Sequence, residues 1–80
     1  MNIIYTHKVE KSLEKIPKRE LKKIFQKIKR LSEDANSGKP LQGEFDGYLS
    51  LRAWPYRIIY KVQGRSIYIY SIAHRQGAYK

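Results

Sequence analysis

The sequence has 80 residues, enough for one small domain spanning residues 1–80 but too few for a second domain or an enclosed cofactor cavity. Seventeen Lys and Arg against seven Asp and Glu give a net charge of +10, which favours a polyanionic partner, above all nucleic acid, over the plain alternative of an ordinary basic protein. The absence of cysteine excludes disulfides and thiolate sites, and only two distant histidines, His7 and His74, argue against a metal site, so no cofactor is expected.

Residues 2–6 are β-branched and aromatic, a composition that predicts a short strand. The N-terminal stretch from Met1 to Tyr5 is too short for a signal peptide, and no apolar run approaches membrane length, so we expect a cytoplasmic protein with no membrane partner. The hydroxyl of Thr6 can cap a following helix. Val9, Leu13 and Ile16, spaced by four and three, predict a short helix that Pro17 interrupts.

A longer helix is predicted to start near Lys18, because apolar residues then recur at spacings of three and four. They form one core-facing stripe: Leu21, Ile24, Phe25, Ile28, Leu31 and Ala35. Asn36 or Gly38 can take the left-handed conformation that ends a helix. Since the joint at Pro17 is short, the two helices should form an antiparallel hairpin.

The second half of the chain is predicted to be a loop, residues 39–47, followed by three strands at residues 48–53, 56–63 and 66–73. Two-residue turns between these strands require antiparallel pairing. We therefore predict an α+β fold in the order β-α-α-β-β-β, an antiparallel sheet with the helical hairpin on one face and the other face open. The residues of the first of these strands should alternate, with Leu49, Leu51 and Ala53 on one face and Tyr48, Ser50, Arg52 and Trp54 on the other.

Basic residues cluster on the two predicted helices, and only some of them have acidic neighbours. Most are individually solvated surface, but as a set they supply sequence-independent attraction to RNA or the ribosome. They are Lys8, Lys11, Lys15, Lys18, Arg19, Lys22, Lys23, Lys27, Lys29 and Arg30.

A second polar cluster comes from the predicted strands and the C-terminal tail: Arg52, Arg57, His74, Arg75 and Tyr79. Arg57 interrupts an apolar run, where a charge needs a partner or solvent, so a structural salt bridge to Glu44 or Asp46 competes with a functional role. His74 and Arg75 can exchange a proton and hold phosphate oxygens, although such a pair is also ordinary surface. Tyr79 can either close the sheet edge or contact a ribose or base.

These residue types suit the cleavage of RNA by its own 2′-hydroxyl, a reaction that needs neither a metal nor a protein nucleophile. It needs a base near the 2′-oxygen, cations for the charge of the phosphorane and an acid for the leaving 5′-oxygen. Tyr48 and Trp54 would add stacking surface for unpaired bases. From the residues alone, this reaction is one possibility among several.

The sequence resembles the RelE/ParE superfamily of bacterial and archaeal toxins almost from end to end. The resemblance rests on a helix pair with a proline joint (LEKIPKRELKKIFQKIKRL) and on three later segments, KPLQGEFDGYLSLR, PYRIIYKV and IAHRQGAYK. It implies a RelE-like messenger RNA interferase, an endoribonuclease that cuts messenger RNA in the ribosomal A site and so inhibits translation.

The same resemblance implies roles for individual residues. Arg57 would stabilise the phosphorane, Arg75 would contact the scissile phosphate, and Tyr79 would orient or activate the 2′-hydroxyl. His74 would be a general acid or base. Independently of the resemblance, we expect RNA contacts from Lys39, Tyr48, Arg52 and Trp54. Lysines of the best-studied RelE branch are replaced here by Tyr48 and Ser50.

The family also implies an acidic antitoxin partner, which suits the charge of +10. The toxin would contact operator DNA only as part of the complex with this antitoxin. Two other functions compete. A ParE-type toxin poisons DNA gyrase with the same fold, although the His-Arg and Tyr79 tail favours the RelE branch. The second alternative is a catalytically weak RNA- or ribosome-binding module, because the lysines of the RelE branch are replaced by Tyr48 and Ser50.

Overall fold

A computed structural model of the protein describes residues 2–74, and Arg75 and Tyr79 lie outside that range. Two helices and five strands follow one another in the predicted order, with one short strand added. The elements are β1 (Asn2–Tyr5), α1 (His7–Glu14), α2 (Lys18–Glu33), β2 (Lys39–Pro40), a 3-10 turn (Gly43–Phe45), β3 (Leu49–Ala53), β4 (Tyr56–Gln63) and β5 (Ser66–His74).

The strands form one sheet in the order β1-β5-β4-β3-β2. The turns at residues 54–55 and 64–65 join β3, β4 and β5 into the predicted antiparallel meander. The α+β class is confirmed, but the sheet is mixed rather than wholly antiparallel, because β1 runs parallel to β5. No tight turn joins these two strands, since most of the chain lies between them, and so turn geometry does not fix their relative direction.

The short helix α1 begins as predicted. The Thr6 hydroxyl accepts a hydrogen bond from the backbone N–H of Val9 at 3.3 Å, which satisfies a donor at the helix start. The helix ends at Glu14, and α2 starts directly after Pro17. Neither helix is long and apolar enough to cross a membrane within residues 2–74.

Both helices place their apolar stripes on the same face of the sheet. From α2 the buried residues are Ile24, Ile28 and Leu31, at spacings of four and three. Phe25 was expected in this stripe but is 42 % exposed, because it lies at the margin of the buried stripe, where its ring packs edge-on against Tyr5. The strands contribute the other half of one continuous core: Ala53, Ile58, Tyr60, Ile67, Ile69 and Ile72.

Tyr60 ties the segment after α2 to the sheet. Its buried hydroxyl donates to the carbonyl of Ala35 and accepts from the N–H of Gly38, both at 2.9 Å. A Cβ on Gly38 would come within 2.8 Å of the Tyr60 ring, so glycine is needed here for close approach. The backbone of Gly38 is not left-handed, and α2 ends earlier, at Glu33.

Candidate functional site

The sheet face that α1 and α2 leave uncovered, called the open face below, carries the predicted cations. Alternation along β3 and β4 turns Leu51 and Ile58 towards the core, and it therefore turns Arg52 and Arg57 towards the open face. The strand register places Arg52 directly opposite Arg57. Two neighbouring strands thus present guanidinium groups at the same level of the sheet.

Like charges directly opposite each other on neighbouring strands repel. Every Asp and Glu of the sequence lies between residues 10 and 46, so β3, β4 and β5 contain no carboxylate. Arg57 is half-buried and Arg52 is exposed. The salt bridge of Arg57 to Glu44 or Asp46 stays a prediction. Between these two arginines the open face is suited to an anion.

A groove of about 560 Å³ runs beside this arginine pair. The strand β2 forms its outer wall by pairing with β3, so that Lys39 lies opposite Ser50. The groove brings together three of the residues expected to act on RNA, and its main lining residues are Lys39, Leu41, Gln42, Ser50, Arg52 and Arg57. The sequence predicts a loop over residues 39–47, whereas residues 39–40 form β2, because a two-residue strand has no recognisable pattern.

Aromatic rings occupy the next part of the open face. Tyr48 lies 6.3 Å from Phe45 and 5.2 Å from Tyr70, measured between ring centroids. The Nζ of Lys61 lies 5.5 Å from the Tyr48 ring, and that of Lys8 lies 5.2 Å from the Tyr70 ring. Of these residues only Tyr48 was predicted to be at the site. The alternation of Ile and Tyr at residues 67–70 was the signal that could have indicated Tyr70.

His74 lies on the other side of the sheet. The register pairs it with Tyr56, whose ring packs against the core, and the two rings are 5.4 Å apart and nearly perpendicular. The β5 residue opposite Arg57 is Ala73. The expected grouping of Arg52, Arg57 and His74 on one surface is therefore only partly met, because successive residues of β5 point to opposite faces.

Trp54 was expected on the open face, and that expectation is wrong. β3 ends at Ala53, so Trp54 belongs to the following turn, where strand alternation no longer fixes its direction. The indole is 56 % exposed and lines a separate groove of about 530 Å³ beside α2. The other main lining residues are Lys23, Lys27, Lys29, Arg30 and Glu33.

The open face therefore offers cations, aromatic rings and hydroxyls, without a nucleophilic thiol. Within residues 2–74, no three His, Asp or Glu side chains lie together as ligands for a metal ion. Arginine and lysine near a phosphate can stabilise added negative charge, and tyrosine rings can stack on bases. This set of groups fits a single-stranded nucleic acid.

Comparison with known proteins points to toxins. Residues 3–79 match a family model described as the ParE toxin of the type II toxin–antitoxin system parDE. No curated relative matches the chain.

Solved structures of toxins share the fold. The toxin–antitoxin complex RelBE2 of Mycobacterium tuberculosis is 28% identical with a TM-score of 0.84, covering 92% of this chain and 96% of that one. The chromosomal ParDE system of P. aeruginosa is 27% identical with a TM-score of 0.71, covering 92% and 95%. YafQ from E. coli, 18% identical with a TM-score of 0.83 and covering 99% and 98%, resembles this chain in fold alone.

Proposed function

The chain belongs to the ParE toxin family of type II toxin–antitoxin systems and has the fold of RelE-like toxins, and we propose that it cuts messenger RNA on the ribosome. This proposal rests on the position of Arg52 opposite Arg57, beside an open groove that Lys39 also lines. Such a surface attracts a phosphate backbone and can stabilise a phosphorane.

In the proposed reaction the 2′-oxygen of a ribose attacks the adjacent phosphorus, and the bond to the 5′-oxygen breaks. The products are a 2′,3′-cyclic phosphate and a 5′-hydroxyl. A base takes the proton of the 2′-hydroxyl and an acid supplies one to the 5′-oxygen, so no metal is required. Arg57 stabilises the extra charge on the phosphorane.

The remaining roles follow the family resemblance. Arg75 contacts the scissile phosphate and Tyr79 orients the 2′-hydroxyl. The resemblance also implies proton transfer by His74, but its ring lies on the other side of the sheet from Arg57, so the proposal does not include that role. Lys39, Tyr48 and Arg52 hold the RNA along the open face. Trp54 would contact the RNA from the groove beside α2, away from the cleavage site.

The partner we propose is an acidic antitoxin encoded with this chain. The M. tuberculosis and P. aeruginosa neighbours are, by their descriptions, toxin–antitoxin complexes or systems. A net charge of +10 favours association with an acidic segment. The antitoxin would also supply any contacts with operator DNA.

A second candidate is inhibition of DNA gyrase, the activity of the ParE branch. The match to the ParE family model and the likeness to ParDE favour it. The two candidates differ in what the arginine pair does, since a gyrase inhibitor has no phosphate to cleave.

The deciding experiment is brief induction of the protein in cells, followed by mapping of new 5′ ends on translated messages. We expect cuts inside reading frames that disappear when translation is blocked. Gyrase trapped on DNA, with no new 5′ ends, would instead assign the protein to the ParE branch.

The same assay tests the arginines. Arg57→Ala should lower cutting about a hundredfold or more and abolish growth arrest, as loss of a transition-state donor does. Arg75→Ala should do the same, and Arg57→Lys should recover only part of the activity, because lysine lacks the bidentate donor geometry. Full toxicity of both alanine variants, with normal circular dichroism, would refute this site assignment.

A further inference from the structure

Three aromatic rings and two lysines meet on the open face, next to the arginine pair but separate from it. The rings of Phe45, Tyr48 and Tyr70 all lie within 6.3 Å of one another, centroid to centroid. Lys61 approaches the Tyr48 ring and Lys8 approaches the Tyr70 ring. None of these residues belongs to the buried cluster under the helices, although Ile59, which alternation places on the open face, is buried there.

A local irregularity of β5 accounts for the position of Tyr70. The register between β4 and β5 shifts between Ile59, which faces Ser71, and Tyr60, which faces Ile69. Tyr70 is therefore the extra residue of a β-bulge, a feature that re-aims a side chain. The bulge lets the Tyr70 ring reach Tyr48 across β4 while Ile69 and Ile72 stay in the core.

A planar group can reach this cluster only from its solvent side, because the three rings are in direct contact with one another. The planes of Tyr48 and Tyr70 are inclined by 52° rather than stacked, and Tyr70 is 36 % exposed. Tyrosine faces stack on nucleobases regardless of base identity, and nearby ammonium groups attract the phosphates on either side. Glu44 and Asp46 flank Phe45 in the chain, so the phosphates are expected on the lysine side.

We propose that Phe45, Tyr48 and Tyr70 form a stacking subsite for one unpaired base of single-stranded RNA, whose phosphates contact Lys61 and Lys8. This inference rests on the proposed function and extends it. Tyr48 and Arg52 are four residues apart in an extended segment, about 13 Å. The subsite therefore holds the RNA at a fixed distance from the bond to be cut and biases which position is cleaved.

The subsite can be tested by measuring RNA binding under conditions in which cleavage is blocked. The probes are two oligoribonucleotides of equal length with methylated 2′-hydroxyls, one carrying all its bases and the other abasic. Tyr70→Leu should weaken binding of the base-bearing strand at least about fivefold, the lower end for loss of one stacked base. Binding of the abasic strand should not change, and Tyr70→Phe should retain the affinity of the wild type.

Two further variants separate stacking from charge. Lys61→Ala should weaken binding of both strands and reduce the slope of affinity against salt by about one. Phe25→Leu removes an exposed ring from α2, away from the open face, and should change neither affinity.

If Tyr70→Leu lowers the affinity for both strands equally, or lowers neither affinity, the proposed subsite is wrong. Weaker antitoxin binding with unchanged RNA binding would also overturn the subsite, because the rings would then be a protein-binding surface. The 5′-end mapping tests the function separately. If the protein binds the base-bearing strand more tightly but makes no cuts in cells, the subsite is supported and the nuclease function is refuted. If it makes cuts but binds both strands with equal affinity, the nuclease function is supported and the subsite is refuted.

Discussion

The two faces of the β3–β5 meander are built from alternate residues of the same strands, yet most of these residues have different surroundings. Towards the helices, Leu51, Ile58 and Ile69 belong to the apolar core or pack against it. On the opposite face the neighbours of these residues are Arg52, Arg57 and Tyr70, with charge or an aromatic ring on an uncovered surface. Fully buried Ile58 and half-buried Arg57 are adjacent in sequence and differ only in the face they occupy.

This contrast shows how an 80-residue chain can separate the residues that stabilise its core from those proposed to contact RNA. Because side chains alternate with a period of two, a residue on the open face can change without altering the packing under the helices. The covered face can then be mainly apolar, and the open face can carry opposed arginines that suit a phosphate backbone. Substitutions at neighbouring positions should therefore affect different properties.

The largest effect is expected from Ile58→Ala. Removing a fully buried isoleucine leaves a cavity and should lower the free energy of unfolding by about 2–5 kcal/mol. That is a large fraction of the stability of a small domain. Chemical denaturation measures it directly, and the denaturation midpoint of Arg57→Ala, the matched variant on the other face, should stay close to the wild type.

The comparison of the two faces would fail if Arg57→Ala proved as destabilising as Ile58→Ala. Arg57 would then be a structural residue, as a salt bridge to Glu44 or Asp46 would make it. It would fail equally if Ile58→Ala left the denaturation midpoint unchanged.

A smaller effect is expected from Tyr60→Phe, which keeps the ring and removes the hydroxyl bonded to Ala35 and Gly38. Loss of these hydrogen bonds should cost about 1–2 kcal/mol, with normal RNA cutting by the folded protein. Tyr60 lies on the core side, so this variant sharpens the contrast with Tyr70 on the open face.

The pH dependence of the same variant provides a second readout. Burial raises the pKa of Tyr60, so the folded protein keeps this proton at a pH where the unfolded chain loses it. The stabilisation is complete below the unfolded pKa of about 10 and decreases as the pH rises above it. The difference in melting temperature between wild type and Tyr60→Phe should therefore narrow above about pH 10. A difference in melting temperature that stays constant above about pH 10 would contradict this prediction.

Periodicity was enough to predict the helices, the meander and the alternation at Leu51 and Arg52, because each depends on local spacing and short turns. It could not predict the direction of β1, which depends on packing between chain ends. A two-residue strand at Lys39 has too little pattern, and the bulge at Tyr70 is a break in the very alternation on which the prediction relied. Trp54 was misplaced because alternation was extended past the end of the strand.

The smallest effect is expected from the groove beside α2, where Trp54 lies close to a row of cations on the covered side of the sheet. If this groove supplies only sequence-independent attraction, Lys27→Ala and Arg30→Ala should each reduce the slope of RNA affinity against salt by about one. The loss should shrink at high salt and leave the cutting rate of bound RNA unchanged, whereas Lys11→Ala, on the other helix, should have less effect. If either variant changes the position at which the RNA is cut, the covered side also orients the RNA. The proposed difference in function between the two faces would then be wrong.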